Sequence, residues 1–162
     1  IEAARRACRI APGLDRRFQA EQWESIPAQV WREARAEALD RIDRTAAFEG
    51  FGFDADPAAV KLTLDNAKKA GVEQFLHVEV RDVAQFTPVP GTVIFTNPPY
   101  GERMLEQNDA RRIYRTMGKV LSTPAYIICG DSDFEQYFGR KADKRRKLYN
   151  GMISCQLYQF NA

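Results

Sequence analysis

Four residues that follow an apolar run are the part of this sequence best suited to chemistry: Asn97, Pro98, Pro99 and Tyr100. Each proline fixes its own φ and pushes the residue before it towards an extended conformation. Asn97 and Pro98 are therefore rigid, and the Asn97 side-chain oxygen and the Pro98 carbonyl can face one small space. Two fixed acceptors suit an amino group. Hydrogen bonds from both of its N–H groups to these acceptors favour a pyramidal nitrogen with an available lone pair.

This chemistry needs no strong base, which matters because His77 is the only histidine in the chain. Tyr100 adds an aromatic face on which a planar base can stack, worth about 1–3 kcal/mol. The alternative is a proline-rich turn after a strand, since Asn, Pro and Tyr are all common in turns. The position after an apolar run favours the functional interpretation, because ligands of open α/β sheets bind outside the carboxyl ends of strands.

Two acidic residues stand at the ends of two further predicted strands. Asp54 is placed to accept hydrogen bonds from ribose hydroxyls, as acids do in dinucleotide-binding folds. Asp82 could accept from an adenine amino group. The alternatives are a loop acid or second helix cap beside Asp56 for the first residue, and an ordinary turn residue for the second. The carboxyl ends of parallel strands meet at one edge of a sheet, which strengthens the cofactor interpretation of both.

The elements that position these residues alternate between strands and helices. The predicted strands are 50–54, 76–82, 92–96 and 125–129, and the predicted helices are 1–10, 27–42, 56–71, 109–121 and 133–138. The apolar run 92–96 is typical of a central parallel strand that is covered on both faces. Asn150-Gly151 predicts a hairpin between strands 144–149 and 152–160. The pattern predicts an α/β fold with a mostly parallel sheet and a C-terminal antiparallel hairpin.

Residues 11–45 are predicted to form a helical insert, because Ala11-Pro12-Gly13 interrupts the first helix and a new helical pattern follows. The apolar positions of that second helix recur at a spacing of four, and they are Val30, Ala34, Ala38 and Ile42, with Trp31 beside them. The spacing predicts that these residues face inward. We expect an extra helical layer here, with a flap that contacts the substrate as the alternative.

The composition of the 162 residues indicates one globular domain, with 44% hydrophobic and 28% charged residues and a formal net charge of +2. No apolar run approaches the ~18 residues of a membrane-spanning helix. Cys8, Cys129 and Cys155 are odd in number and far apart, which argues against a disulfide framework and against a metal cluster. We therefore expect a cytoplasmic protein with no metal and no membrane partner.

The longer string Asn97 to Arg103, with Ile1 to Ala4, Ala11 to Leu14 and Gly139 to Lys144, resembles one family over essentially the whole chain. It is similar to the RlmL/RlmK-like 23S rRNA guanine-N2 methyltransferases, which are class I enzymes dependent on S-adenosylmethionine (SAM). Members are often labelled putative N6-adenine-specific DNA methylases. The resemblance implies a Rossmann-like methyltransferase catalytic domain over 1–162.

What the resemblance implies for single residues agrees with the reading of the motif. Asn97 and Pro98, in the motif with Pro99, would hold the target amine, and Tyr100 would stack on a flipped base. The cofactor SAM would be bound through Asp54 at its ribose and Asp82 at its adenine, with Asn97 at the edge of the cofactor site. RNA, specifically 23S rRNA, would be the partner.

The family's first strand and glycine-rich cofactor loop, and its RNA-binding THUMP domain, are expected before Ile1 and do not occur in this sequence. The expectation is that the chain is the C-terminal piece of a longer protein and is inactive as an isolated fragment. The missing strand would lie between the strand that ends at Asp54 and the strand before Asn97. Its absence would leave those two strands with unpaired edges.

A basic run from Arg140 to Lys147 could contact RNA phosphates, with Lys144, Arg145 and Arg146 as its central members. The alternative is a solvated edge strand protected by its charges. Arg103, next to Glu102, could line the base pocket or form a salt bridge instead. Adenine-N6 methylation of DNA, glutamine methylation of a protein, and a non-catalytic RNA-interaction fragment remain the alternative functions.

Overall fold

The computed structural model describes residues 1–100, 104–121 and 124–161. Contacts within the chain divide it into two compact units, Ile1–Val80 and Arg81–Ala162. Each unit combines strands and helices, and each is described by itself below. No helix of the described residues has the length and apolarity needed to cross a membrane.

The first unit holds one parallel pair of strands joined through a helix. Its elements, in chain order, are α1 (Glu2–Ala7), a 3₁₀ turn (Gln19–Gln22), α2 (Ala28–Asp40), β1 (Gly50–Asp54), α3 (Pro57–Lys69), a second 3₁₀ turn (Glu73–Phe75) and β2 (Leu76–Val80). The register runs from Gly50 opposite Leu76 to Asp54 opposite Val80. The β1-α3-β2 connection is the parallel crossover unit that the sequence pattern predicts.

Helix α3 begins where the sequence places its cap. The Asp56 side chain accepts a hydrogen bond from the Ala58 backbone N–H at 2.8 Å, and Pro57 occupies the first turn. The apolar spacing of Val60, Leu64 and Ala67 predicts that all three face inward. Val60 and Ala67 are buried, but the Leu64 side chain is 42% exposed, so the prediction is wrong for Leu64. The two strands next to α3 are too few to cover the whole apolar face of the helix.

The insert is held by different residues from those that the apolar spacing indicates. Within α2, Val30 is 51% exposed and Ala34 is exposed, so the prediction that these two face inward is wrong. Trp31 stacks on Phe18 instead, with ring centroids 6.0 Å apart. Arg35 donates 2.7 Å hydrogen bonds to two backbone carbonyls of the preceding loop. The loop offers the Phe18 ring and the Leu14 and Arg16 carbonyls, so the inward side of α2 is the side that carries Trp31 and Arg35.

The second unit contains a four-stranded sheet. Its elements, in chain order, are a 3₁₀ turn (Val83–Gln85), β3 (Ile94–Thr96), α4 (Met104–Val120), β4 (Ala125–Cys129), α5 (Phe134–Phe138), β5 (Lys144–Asn150) and β6 (Ile153–Phe160). The strand order is β3-β4-β6-β5, in which β3 and β4 are parallel and the other two pairings are antiparallel. Asn150 pairs with Ile153 at the end of the predicted hairpin.

The α/β fold with parallel pairs and a C-terminal antiparallel hairpin is therefore confirmed, with two local differences. Helix α4 begins at Met104, earlier than the predicted start at Asp109. Strand β3 is at an edge of its sheet, and Phe95 is 74% exposed, so the prediction of a strand covered on both faces is wrong. Among the described residues β1 pairs only with β2, and β3 only with β4.

The core of the second unit is largely aromatic. Its buried members from the helices and strands are Ala110, Tyr114, Met117, Leu121, Ala125, Ile127, Cys129, Phe134, Phe138, Tyr158 and Phe160. Helices α4 and α5 approach closely at Gly118, where an added Cβ would lie 1.8 Å from the Phe138 carbonyl oxygen. A glycine is therefore required at this contact between the two helices.

We predict that Gly118→Ala lowers the free energy of unfolding by about 1–3 kcal/mol, because the methyl group would force α4 and α5 apart. The helix propensity of alanine acts in the opposite direction and would reduce the loss. Lys119→Ala, at the neighbouring exposed position, is the control and should change stability by less than about 0.5 kcal/mol. Urea unfolding measures both variants, and equal stability of the two would contradict the prediction.

Candidate active site

The Asn97–Tyr100 motif directly follows β3, as the sequence predicts. Pro98 is buried, Tyr100 is half-buried, and Asn97 and Pro99 are exposed. The parallel neighbour β4 ends at Cys129, so the residues that follow β3 and β4 share one edge of the sheet. This edge is where an open α/β sheet binds its ligands.

A buried tyrosine makes a hydrogen bond to the backbone of the motif. The Tyr114 hydroxyl of α4 donates a 2.8 Å hydrogen bond to the Pro99 carbonyl oxygen. The Cys129 thiol lies 3.4 Å from the same hydroxyl and donates to it. Burial raises the pKa of Tyr114 and also that of Cys129, so both groups keep their protons at neutral pH. Tyr114 is therefore a permanent donor to the backbone of the motif.

Sequence analysis missed Tyr114 because it is separated from the motif along the chain. The available signal was a tyrosine one helical turn from Ala110 and close to Met117 on the apolar face of α4, since a buried tyrosine hydroxyl usually has a hydrogen-bond partner. Its ring also packs edge-on against Phe134, with the centroids 5.1 Å apart. The hydroxyl thus links the aromatic core to Pro99.

Gly130, the first residue after β4, lies in close contact with the Tyr100 ring. A Cβ on Gly130 would lie 3.1 Å from a ring carbon of Tyr100. This distance is tighter than an ordinary van der Waals contact, so a side chain at position 130 would displace the ring. The ring therefore lies directly against the backbone at the end of β4.

A cavity of about 310 Å³ opens beside Tyr100. Its walls come from the motif, from α4, from the loop after β4 and from the start of β6, and they are Tyr100, Gln107, Arg111, Gly130, Asp131, Ser132 and Ile153. Charged and polar groups thus line the cavity together with one aromatic ring and one aliphatic side chain. Apart from Tyr100, the sequence does not single out these residues, because they come from separate segments of the chain.

Arg111 and Asp131 bring opposite charges to this cavity. The Arg111 Nε lies 3.9 Å from one Asp131 carboxylate oxygen, and an Nη lies 3.5 Å from the Asp133 carboxylate. The Arg111 guanidinium is also 4.7 Å above the centre of the Tyr137 ring. The other Asp131 oxygen accepts a 2.8 Å hydrogen bond from the Asp133 backbone N–H. The Arg111 and Asp131 side chains thus lie close together without a direct hydrogen bond between them.

The two predicted cofactor acids lie where the strands end. The Asp54 carboxylate ends β1 and accepts from the Asp56 backbone N–H at 2.9 Å. The Asp82 carboxylate follows β2 and accepts from the Ala84 backbone N–H at 2.7 Å. One oxygen of each acid therefore stabilises a turn, which is the structural alternative to cofactor binding. Both residues are exposed, and the second oxygen of each makes no hydrogen bond within the described ranges.

The basic run is divided by its contacts. Arg145 donates two 2.9 Å hydrogen bonds to Glu135, and Arg140 donates to the Leu121 carbonyl at 3.1 Å. Lys144 and Arg146 alternate with Arg145 along β5 and are exposed. Since β5 is an edge strand of its sheet, the position also fits the edge-protection alternative. Arg103 and Glu102 lie outside the described residues.

No group of three or more His, Cys, Asp or Glu side chains in the described part of the chain could hold a metal ion. The three cysteines are free and buried.

Comparisons with known proteins identify this α/β fold as that of a methyltransferase. The family model described as "RMKL-like, methyltransferase domain" matches residues 1–159. The chain belongs to this family. A curated relative named "Putative RNA methyltransferase YpsC", from Bacillus subtilis, is 35% identical over 99% of this chain. "Ribosomal RNA large subunit methyltransferase K/L" from Legionella pneumophila is 35% identical over 98% of it.

Two solved structures have the same fold. SMU.472, described as a putative methyltransferase complexed with SAH, is 37% identical with a TM-score of 0.91 and covers 99% of this chain. A predicted N6-adenine-specific DNA methylase from Listeria monocytogenes is 35% identical with a TM-score of 0.87 and covers 98%. The chain spans 43% and 23% of the two curated relatives and 44% and 42% of the two solved chains.

We predict that Tyr114→Phe lowers the free energy of unfolding by about 1 kcal/mol, because the hydrogen bond to the Pro99 carbonyl is lost and the ring is retained. Tyr149→Phe is the matched control, since Tyr149 is 67% exposed in β5. It should change stability by less than about 0.5 kcal/mol. Urea unfolding of both variants makes the comparison, and a Tyr114→Phe protein as stable as the control would show that the hydroxyl contributes nothing.

Proposed function

We propose that this chain is the catalytic part of a SAM-dependent methyltransferase that modifies an exocyclic amine of an RNA base, specifically guanine N2 in 23S rRNA. The observation that carries the proposal is the rigid Asn97-Pro98 pair after β3, tied to the core through Pro99 and Tyr114. The family and the names of two curated relatives support RNA as the substrate. Because the chain spans less than half of those relatives, the activity of the whole protein is part of the proposal.

The proposed cofactor is supported by the SMU.472 structure, which is described as a complex with SAH, the product that remains after SAM loses its methyl group. The chemistry of the acids present fits the nucleoside part of this cofactor. Asp54 would accept from the ribose hydroxyls and Asp82 from the adenine amino group, each through the oxygen that its turn leaves free. When bound, SAM supplies a methyl group that is already activated on a sulfonium.

The residues of this chain would contribute positioning and not a strong base. The Asn97 side-chain oxygen and the Pro98 carbonyl accept hydrogen bonds from the two amine N–H groups, which leaves the nitrogen lone pair free to attack. The amine loses one of these two protons to water when it has gained the methyl group. Tyr100 stacks on the base after it has left its helix, because a stacked base cannot reach the site. Holding amine and methyl in line lowers the barrier by up to about 7–11 kcal/mol relative to a bimolecular encounter.

The second candidate is methylation of adenine N6 in DNA. It is favoured by the name of the Listeria monocytogenes protein, which shares the fold at 35% identity. The amine-binding motif by itself fits either target, because both bases carry an exocyclic –NH₂ group. A panel of rRNA, DNA and peptide substrates with labelled SAM separates these activities, with glutamine methylation as the third arm. We also propose a cytoplasmic location, which fits an rRNA substrate and three free cysteines.

Asn97→Ala should lower the rate of methyl transfer by at least about 100-fold, because the amine loses one of its two fixed acceptors. Binding of SAM, measured by calorimetry, should remain nearly intact. The protein is expressed from its complete coding sequence, and Asn66→Ala on the exposed side of α3 is the matched control. Equal loss of transfer and of SAM binding would contradict the role assigned to Asn97. Absence of SAM binding by the unaltered protein would overturn the methyltransferase proposal itself.

Neutralising Lys144 and Arg146 together as Gln should weaken RNA binding and make it less dependent on salt. Each phosphate contact that is lost reduces the slope of log K against log[salt] by about 0.7–0.9. The matched control converts Lys68 and Lys69, exposed at the end of α3, to Gln. Fluorescence anisotropy over a salt series measures the slopes. Identical slopes for the two double variants would favour the edge-protection role of the run.

A further inference from the structure

The cavity beside Tyr100 holds a hydrogen-bond acceptor and a donor side by side. Asp131 and Arg111 both line it, and their side chains are only 12% and 27% exposed. The 3.9 Å between Arg111 Nε and the nearer Asp131 oxygen is too long for a hydrogen bond. The two groups therefore face the same space without satisfying each other.

Both groups keep unused hydrogen-bonding capacity. The Asp133 backbone N–H occupies one Asp131 oxygen, and the other oxygen accepts no hydrogen bond from the described residues. Arg111 makes ion pairs and a ring contact but no hydrogen bond in that part of the chain, so its guanidinium keeps donors for a ligand. Buried polar groups in proteins nearly always have a partner. A ligand with a donor next to an acceptor would supply what is missing.

We propose that Asp131 and Arg111 read the Watson–Crick edge of a guanine whose 2-amino group lies at Asn97 and Pro98. Guanine presents three groups in a row on this edge: the N2 amine, the N1–H donor and the O6 acceptor. The free Asp131 oxygen accepts from N1–H, and the Arg111 guanidinium donates to O6. This inference rests on the proposed function and deepens it, because it assigns the residues that determine which base is methylated.

Adenine does not satisfy the same pair of groups. Next to its 6-amino group adenine carries N1 as a lone pair, with no N–H and no carbonyl oxygen. The Asp131 carboxylate would then face another acceptor, and Arg111 would have no O6 to bind. A site built to hydrogen-bond a group discriminates strongly against an analogue that lacks it, because its buried polar groups are left unpaired.

The stacking surface lies in the same cavity. The Tyr100 ring is one wall, and it is positioned by its contact with the Gly130 backbone. Asp131 is the next residue along the chain. A base stacked on Tyr100 would therefore lie in the cavity that Asp131 and Arg111 also line.

The first test uses matched pairs of variants in the protein expressed from its complete coding sequence. Asp131→Asn should lower kcat/KM on rRNA from a strain that lacks the gene by about 100-fold, and Asp133→Asn by less than about 3-fold. Asp133 also pairs with Arg111 but does not line the cavity. Arg111→Lys should be impaired in the same way, and Arg115→Lys should not, although Arg115 lies over the same Tyr137 ring at 4.8 Å.

The second test distinguishes recognition of guanine by Asp131 from a role of Asp131 in stability alone. Once the modified nucleotide is mapped, it is replaced in a short RNA by 2-aminopurine, which keeps the 2-amino group and lacks N1–H and O6. The unaltered protein should prefer guanine by about 100-fold or more in kcat/KM. In Asp131→Asn the ratio of kcat/KM for guanine to that for 2-aminopurine should be smaller, whereas in Asp133→Asn this ratio should be unchanged. A variant that is merely less well folded would slow both substrates equally.

The outcomes separate this inference from the proposed function. N2-methylguanosine as the product, together with a narrowed preference in Asp131→Asn, supports the inference. The same product with equal behaviour of Asp131→Asn and Asp133→Asn overturns the inference and leaves the proposed function standing. N6-methyladenosine as the product also overturns the guanine assignment. No methylated nucleoside in any substrate contradicts the proposed function itself.

Discussion

The hydrogen bond from the Tyr114 hydroxyl to the Pro99 carbonyl connects the core of the second unit to the candidate active site. Tyr114 is completely buried and packs against Phe134, so its hydroxyl has little freedom to move. Pro99 in turn has a fixed φ and restricts the backbone of Pro98, the residue before it. A rigid core thus holds a rigid loop, as a site that acts by positioning requires.

The end of β4 connects the same core to the cavity. Cys129 is buried and donates a hydrogen bond to the Tyr114 hydroxyl. Gly130 lies against the Tyr100 ring, and Asp131 lines the cavity. Three consecutive residues thus contribute a core contact, a close backbone approach and a charged group. A change in the packing of β4 would alter the motif and the cavity together, since both rest on this strand.

The local structure around several candidate site residues could be predicted because its signals are local. Each proline restricts the residue before it whatever the rest of the chain does. Asp54 ends a strand and Asp82 lies shortly after one, as the sequence pattern predicts, and their role in cofactor binding stays a prediction. Other parts could not be predicted, because partners decide them. The inward side of α2 depends on Phe18 and on the loop carbonyls that accept from Arg35. An apolar spacing alone therefore pointed to Val30 and Ala34, which are exposed.

The sequence by itself determined the order of strands and helices, the Asp56 cap, the C-terminal hairpin and the motif after β3, because short-range sterics and hydrogen bonds produce all of these. Only the tertiary structure decided that Tyr114 supports Pro99, that Gly130 receives Tyr100, and that Arg111 and Asp131 face one cavity. These residues come from separate segments, and no local rule links them. They become neighbours because α4 and the end of β4 bury their apolar side chains in one core.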